Sequence, residues 1–439
     1  GEYLLNSVKI NVTDDSGVTP ASLVNYLRQQ PNHKVLGFAK LSLGIYNLSG
    51  KDEKKWYNRW IRSIGQEPVI YDASLADASR RQLNLALINR GYNASIVTVD
   101  SVYDVAKRKI DLVYNVTPGK PHVIATMNYV FDDPGLGEVI MSDSARFTIG
   151  PGSPLNRDLL ENEIAQISSR LRDKGYYTFS KDYITFIADT LAGSNEVDLT
   201  MRVRSSLSTT SAADSSHNPG RRYIIERVKF IIEAPDGSQT SIPHIENVKG
   251  YTFVYGNDRY LRPGFLEEKC YIRPGEAYNG SDVNRTYESF SQLPIVKYVN
   301  ITMNQLANDG ETGFLEAVIT ISRNKKQGIS AEIEGTNSEG DLGFGVGLTY
   351  QNRNLAHGAE LLTAKFRGSY ESLSGNLEGF INDRYTEFSG EAGITFPRFE
   401  APFMSRSFKR RIRANTELTL SMNYQERPEY TRIISGVAW

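Results

Sequence analysis

The chain has 439 residues, with 50 Lys+Arg against 51 Asp+Glu and a formal net charge of −1. At roughly 100–200 residues per domain, that length predicts a few domains, each large enough for its own core. The near-neutral balance argues against nucleic acid as a partner, which needs a basic face to neutralise phosphates. A mean hydropathy of −0.40, without any run of ~20 apolar residues, excludes a helical membrane protein. Its longest apolar stretch, Val35 to Leu48, is broken by Lys40, Ser42 and Asn47. A single cysteine, Cys270, rules out an intrachain disulfide and a cysteine metal cluster. The first residues, Gly1-Glu2-Tyr3-Leu4-Leu5, show neither a basic n-region nor an apolar h-region, which fits a cytoplasmic protein or a trimmed mature one.

From the N-terminus, Leu5, Val8, Ile10 and Val12 predict an opening strand, and Asp77 to Asn89 a helix stopped by Gly91. Ala94 to Val102 and Lys109 to Val116 read as a hairpin closed by Pro118-Gly119. The pattern then repeats. Gly175-Tyr176 follows a helix as Gly91-Tyr92 does, and Ile149-Gly150 matches Ile64-Gly65. In the second copy Val123 to Phe131 opens, Asn156 caps the helix, and Tyr183 to Ala188 with Glu196 to Arg204 closes. A third copy follows, in which Ile272-Arg-Pro-Gly275 leads to Asn279 as Ile149-Gly-Pro-Gly152 leads to Asn156. It opens with Tyr223 to Ile232 and closes with Val299 to Gln305 and Gly313 to Ser322, and it lacks the Gly-Tyr. Each copy thus reads strand, helix, helix, strand, strand, an α+β unit with a helix pair on one sheet face.

Two segments inside this region have two readings each. Lys51 to Arg62 puts Trp56, Tyr57, Trp60 and Ile61 on one helical face with basic residues around them. It is either an interfacial helix at lipid headgroups or a helix packing its aromatics onto the first domain. Ser205 to Gly220 is polar and Ser-rich, which is either a linker or an exposed loop within one domain.

After Lys326 the helical period ends and a two-residue period begins. Ile329, Ala331 and Ile333 start it, and Phe344 to Tyr350, Leu362 to Phe366, Phe388 to Phe396, Leu418 to Tyr424 and Tyr430 to Trp439 continue it. Strands of roughly ten residues with one apolar and one polar face fit transmembrane β-strands or a soluble antiparallel sheet packed on a core.

The stretch from Gly328 to Leu355, with Asn352-Arg-Asn-Leu355 and Gly358-Ala-Glu360, resembles the first barrel hairpin and periplasmic turn of the BamA/TamA superfamily of outer-membrane assembly proteins. The three copies are similar to POTRA domains, and three of them match the TamA type. Phe396-Pro-Arg-Phe399 and Pro428 to Arg432 further resemble TamL, the TamA-like lipoprotein of Bacteroidota. The expected division is POTRA domains at 1–120, 121–206 and 221–326, a linker at 207–220, and barrel strands at 327–439. Six strands against the family's sixteen read as a truncated barrel, and no N-terminal lipidated cysteine is present. The resemblance implies an outer-membrane location with the POTRA domains in the periplasm, a TamB-type envelope-spanning partner, β-rich outer-membrane clients and contact with the bilayer. It implies a lateral gate at Gln327, Gly328, Ile329, Ser330, Ala331, Glu332, Ile333, Glu334 and Gly335, an edge able to template an incoming strand.

Enzyme chemistry finds no footing. His33, His122, His217, His244 and His357 are scattered without ligand spacing, Cys270 lacks an activating neighbour, and Gly340 to Gly347 has no Lys-Ser/Thr to make a phosphate loop. The expectation is a non-enzymatic factor without cofactors. The basic run Arg406, Lys409, Arg410, Arg411, Arg413 is either a headgroup or partner contact or a solvated turn. The rival to the whole reading is a secreted or surface α+β binding protein with a soluble C-terminal sheet.

Overall fold

The computed structural model describes residues 2–439 apart from 14–16, 33–42, 44–45, 47–54, 191–193, 206–217, 234–243, 257–259, 307–310, 339–340, 373–383, 401–402, 406–407, 409–411, 413 and 428. Two compact bodies result: Gly1–Ser168 with Ser180–Ser216, and Ser169–Phe179 with His217–Trp439. Most of the Ser-rich segment, 206–217, lies outside the described residues.

The first body holds two copies of one plan. In the first copy β1 (Leu4–Val12) is followed by α1 (Trp56–Ile64), α2 (Ala73–Asn89), β2 (Ile96–Asp104) and β3 (Lys109–Thr117). The sheet order is β1-β3-β2, parallel between β1 and β3 and antiparallel between β2 and β3. The last strand is central, so its inward residues are the most deeply buried. Ile110, Leu112, Tyr114 and Val116 are all fully buried, against Leu83 and Leu87 of α2. Each such side chain stabilises by about 1.5–3 kcal/mol. The helix starts earlier than its apolar period predicts, because Asp72 accepts from Ser74 N and fixes the N-terminus there. In the second copy β4 (Val123–Phe131), α3 (Pro134–Met141), α4 (Arg157–Asp173), β5 (Ile184–Thr190) and β6 (Glu196–Val203) give the order β4-β6-β5. Asn156 caps α4 by accepting from Asp158 N at 2.8 Å. Residues from Ser169 onward in α4 count with the second body.

The second body begins with the third copy: β7 (Tyr223–Glu233), β8 (His244–Val248), β9 (Tyr251–Tyr255), α5 (Pro263–Lys269), α6 (Gly280–Ser291), β10 (Val296–Leu306) and β11 (Gly313–Arg323). The sheet order β10-β11-β7-β9-β8 keeps the shared plan and adds the hairpin β8–β9, which the sequence reading passed over. Two five-residue strands give too short an alternation to register. A core of Phe230, Tyr251, Phe253, Leu266 and Phe290 fills this copy, with Cys270 buried in it.

The three copies share details no residue pattern displays. In each, the first strand bulges by one residue shortly after its start, beyond Leu5, Ile124 and Ile225. In each, the residue two before the helix cap bridges back to that strand: Leu4 to Ile70, Val123 to Pro154, Ile224 to Ala277. The caps Asp72, Asn156 and Asn279 therefore set the register, which aligns Gly65, not Ile64, with Ile149 and Ile272.

The rest of the second body is one antiparallel sheet, β12 (Gln327–Ser338), β13 (Asp341–Asn352), β14 (Leu361–Ser372), β15 (Arg384–Phe396), β16 (Thr416–Glu426) and β17 (Thr431–Ala438), paired in chain order. The fold is α+β: three β-α-α-β-β copies followed by antiparallel strands of the barrel type.

Candidate functional site

Strand β12 contains every residue from Gln327 to Gly335 and pairs with β13 without interruption, from Gln327 opposite Asn352 to Ser338 opposite Asp341. Among the described residues no strand pairs with its other side. Over twelve residues the side of β12 away from β13 is a regular row of main-chain donors and acceptors, the kind of edge through which strands join by main-chain hydrogen bonds.

The register gathers the alternating apolar positions of β12 to β16 on one face, while Leu361 and, on β17, Ile434 fall on the other. Ile329, Ala331 and Ile333 stand beside Tyr350, Leu348 and Val346, which stand beside Ala364, Phe366 and Gly368, then Ala392, Gly390 and Phe388. Leu418, Leu420 and Met422 continue the face. Most of these side chains are exposed, Ile333 at 84% and Leu420 at 59%. A sheet packed on a soluble core would bury them.

The opposite face is polar and cross-linked. Lys365 pairs with Glu391 at 3.1 Å, and Glu387 accepts from Asn423 at 2.6 Å and from Tyr385. Arg367 of β14 pairs with Glu334 of β12, although β13 lies between them. The reason is Gly343, Gly345 and Gly347, which leave the polar face of β13 bare. A Cβ at Gly345 would stand 3.7 Å from Glu334 Oε2, and one at Gly347 3.7 Å from Glu332 Cβ. The glycine run read from the sequence is therefore a channel through which an edge-strand carboxylate reaches two strands inward.

The root of β12 is fixed. Only residues 324–326 separate it from β11 of the third copy. Arg353 N donates to Lys326 O at 2.8 Å and its guanidinium to Lys325 O at 3.1 Å. The turn from Arg353 to Glu360, picked out in the sequence by Asn-Arg-Asn-Leu and Gly-Ala-Glu, is the anchor. Asn354 is fully buried, donates to Tyr260 O at 2.6 Å and accepts from Ala359 N at 3.1 Å. Arg262 N donates to His357 O at 2.9 Å, and the Arg262 guanidinium pairs with Glu360 at 2.9 Å. His357 and Ala359 hold positive φ, 61° and 57°, a conformation this hydrogen bonding must sustain. Burial works to raise the Glu360 carboxyl, but the N–H groups of Gly358, Glu360 and Ala356, with Arg262, outweigh it and hold it below its ordinary value.

Beside the anchor, a cavity of about 250 Å³ is lined by Lys269, Arg285 and Glu288 from the third copy and by Leu361, Arg398 and Phe399 from the sheet. Lys269 reaches the carbonyl of Pro397. Burial first, then Arg398 against the opposing pull of Glu268, lowers its ammonium below the usual range. Cys270, next to it, is inert: burial pushes its thiol up to about 12. Among the described residues no cluster of His, Cys, Asp and Glu is arranged to hold a metal.

Of the other residues singled out in the sequence, Trp56 and Trp60 lie on α1 in the first body, 73% and 60% exposed. Ile61, read on the same face, is instead half-buried, and the Tyr57 side chain lies outside the described residues. Arg410 and Arg411, with Arg406, Lys409 and Arg413, fall outside the described residues. Sequence reasoning missed Arg367, Tyr260 and Arg262. Only the alternate glycines of β13 hinted at the first.

No protein-family model matches the chain, and no curated protein matches it. Among solved structures it is similar to POTRA domains 3–5 of Haemophilus influenzae BamA, at 12% identity over 73% of this chain and 98% of that one, with a TM-score of 0.36. It is similar to Haemophilus ducreyi BamA lacking POTRA domains 1–3, at 12% identity over 72% and 57%, TM-score 0.36. CdiB from Acinetobacter baumannii follows, at 10% identity over 72% and 58%, TM-score 0.31. The chain spans little more than half the length of the last two. Likenesses this distant assign no function, which has to be read from the chain's own strands.

Proposed function

We propose that this chain is a non-enzymatic assembly or translocation factor of the outer membrane, of the BamA/TamA kind, in which β12 is one lip of a lateral gate. Strand β12 carries the reading. It is long, regular and anchored at its root, and its apolar side chains face outward as those of a lipid-facing strand do. Client β-rich outer-membrane proteins would add a strand to it. The three copies would act in the periplasm as POTRA domains, divided near 120, 206 and 326, and would dock clients or a TamB-type envelope-spanning partner at their own sheet edges. The finer TamL-type, lipoprotein reading rests on the likeness around Phe396–Phe399 and Pro428–Arg432.

Backbone N–H groups of successive strand residues point to opposite edges. Proline at Ser330 and proline at Ala331 therefore delete donors on opposite sides of β12. In vesicles containing the full-length protein, one variant should lose pairing with β13 and unfold at lower urea. The other should fold like wild type yet fail to speed insertion of a small unfolded outer-membrane barrel protein. Ala331→Thr should be silent in both assays. If both proline variants speed client insertion like wild type, β12 is not the gate.

A further inference from the structure

Helix α1 packs the wrong way round for a soluble domain. On its inner face Asn58 is buried at 3% exposure, Ile61 is half-buried, and the half-buried Arg62 places its guanidinium 5.5 Å from the Tyr46 ring centroid. On the opposite face Trp56, Trp60 and Ile64, spaced by one helical turn, are 73%, 60% and 50% exposed. An ordinary surface helix buries its apolar stripe and shows its polar one. The basic residues complete the pattern. From 54 to 66 the sequence carries Lys54, Lys55, Arg59 and Arg62 and no acid, and Lys55 and Arg59 are exposed beside the stripe.

We propose that α1 is a lipid-docking helix that seats Trp56, Trp60 and Ile64 among the headgroups of an anionic bilayer, with Lys55 and Arg59 on the phosphates. Charge complementarity selects this occupant. An acid-free basic helix is drawn to an anionic surface, and the amphipathic indole ring settles at the level of the headgroups. A two-Trp stripe bordered by basic side chains is the composition of an interfacial helix. This inference does not depend on the gate and would stand if β12 proved inactive.

The chain has 3 Trp, so Trp439→Phe leaves fluorescence to report on α1 alone, whatever the C-terminal sheet does in the same bilayer. With phosphatidylglycerol-containing vesicles, the emission of this full-length variant should shift to the blue and be quenched by acyl-brominated lipid. Partitioning of the helix should fall about tenfold or more in pure phosphatidylcholine or after Lys55→Glu with Arg59→Glu, and it should weaken in high salt. Circular dichroism of the double variant should match its parent, since both residues are exposed. Three results would overturn the proposal. Emission already blue-shifted without vesicles and unmoved by them would mean that the chain itself covers the stripe. An equal shift in neutral and anionic lipid would remove the headgroup contact. Silence in every vesicle would point to a protein groove as the occupant.

Discussion

Glu360 shows how one residue joins two parts of the second body. Its carboxylate accepts from Ala356 N and Gly358 N at 3.0 and 2.9 Å and pairs with Arg262 of the third copy. Because the folded carboxyl is held below its ordinary value near 4.5, the folded state binds this proton less readily than the unfolded chain does. The stabilisation is complete above that ordinary value and is lost as pH falls through the lower, folded one. Wild type should therefore lose stability on acidification below about pH 4.5. Glu360→Gln should be weaker by about 1–2 kcal/mol at neutral pH and show a flatter acid limb. Urea titrations of both proteins across pH check this, and parallel acid limbs would mean the carboxylate contributes nothing. The motif around Glu360 was legible in the sequence as a turn. Its partners Tyr260 and Arg262 were not, because they lie about a hundred residues upstream and nothing local marks them.

At the scale of the element, β16 separates the two readings of the C-terminal sheet. Leu420 stands on the apolar face between Ala392 and Val437, and Thr419 on the polar face opposite Gly393. If the apolar face meets lipid, Leu420→Arg should destabilise the inserted protein by about 2–4 kcal/mol near the midplane. Thr419→Arg, close to Glu417 on its own face, should be tolerated. Folding of both variants into vesicles decides, and equal tolerance would mean the alternation is not a lipid pattern. The alternation itself was fully legible, since period two requires only neighbouring residues. The Glu334–Arg367 pair was not. It depends on register across two strands, and register appears only once the strands are laid side by side.

Across the whole molecule, the Gly-Tyr repeat becomes intelligible as a joint. In the first body Gly91 ends α2 at φ +92°, and its carbonyl accepts from His122 N at 2.9 Å, just before the opening strand of the second copy. His122 O in turn accepts from Leu155 N. Inside the second body Gly175, at φ +106°, accepts from Tyr223 N, and Tyr223 O from Tyr278 N. Leu155 and Tyr278 each directly precede a helix cap, so the two arrangements correspond residue for residue. The third copy has Leu293-Pro294 in this place, and the six-stranded antiparallel sheet follows it instead of another copy. Gly91→Ala would force a Cβ to within 2.5 Å of Leu155 O in a conformation L-residues resist. It should cost about 1–3 kcal/mol and expose the amides around His122 and Leu155 to faster hydrogen exchange. Unchanged exchange there would reduce the glycine to a helix stop.

The sequence by itself determined the local part of this protein: three β-α-α-β-β copies, the Asn156 cap, the glycine stops, and the switch to period two after Lys326. These rest on interactions within a few residues of each other, which composition and spacing record. Tertiary structure alone decided which way α1 turns its tryptophans, which side of β12 pairs with β13, and how the Arg353–Glu360 turn locks to Tyr260 and Arg262. It also decided that the last strand of each copy lies between the first strand and the one before it. Those features come from long-range pairing, where many partners satisfy the same local pattern and only packing of the whole chain selects one.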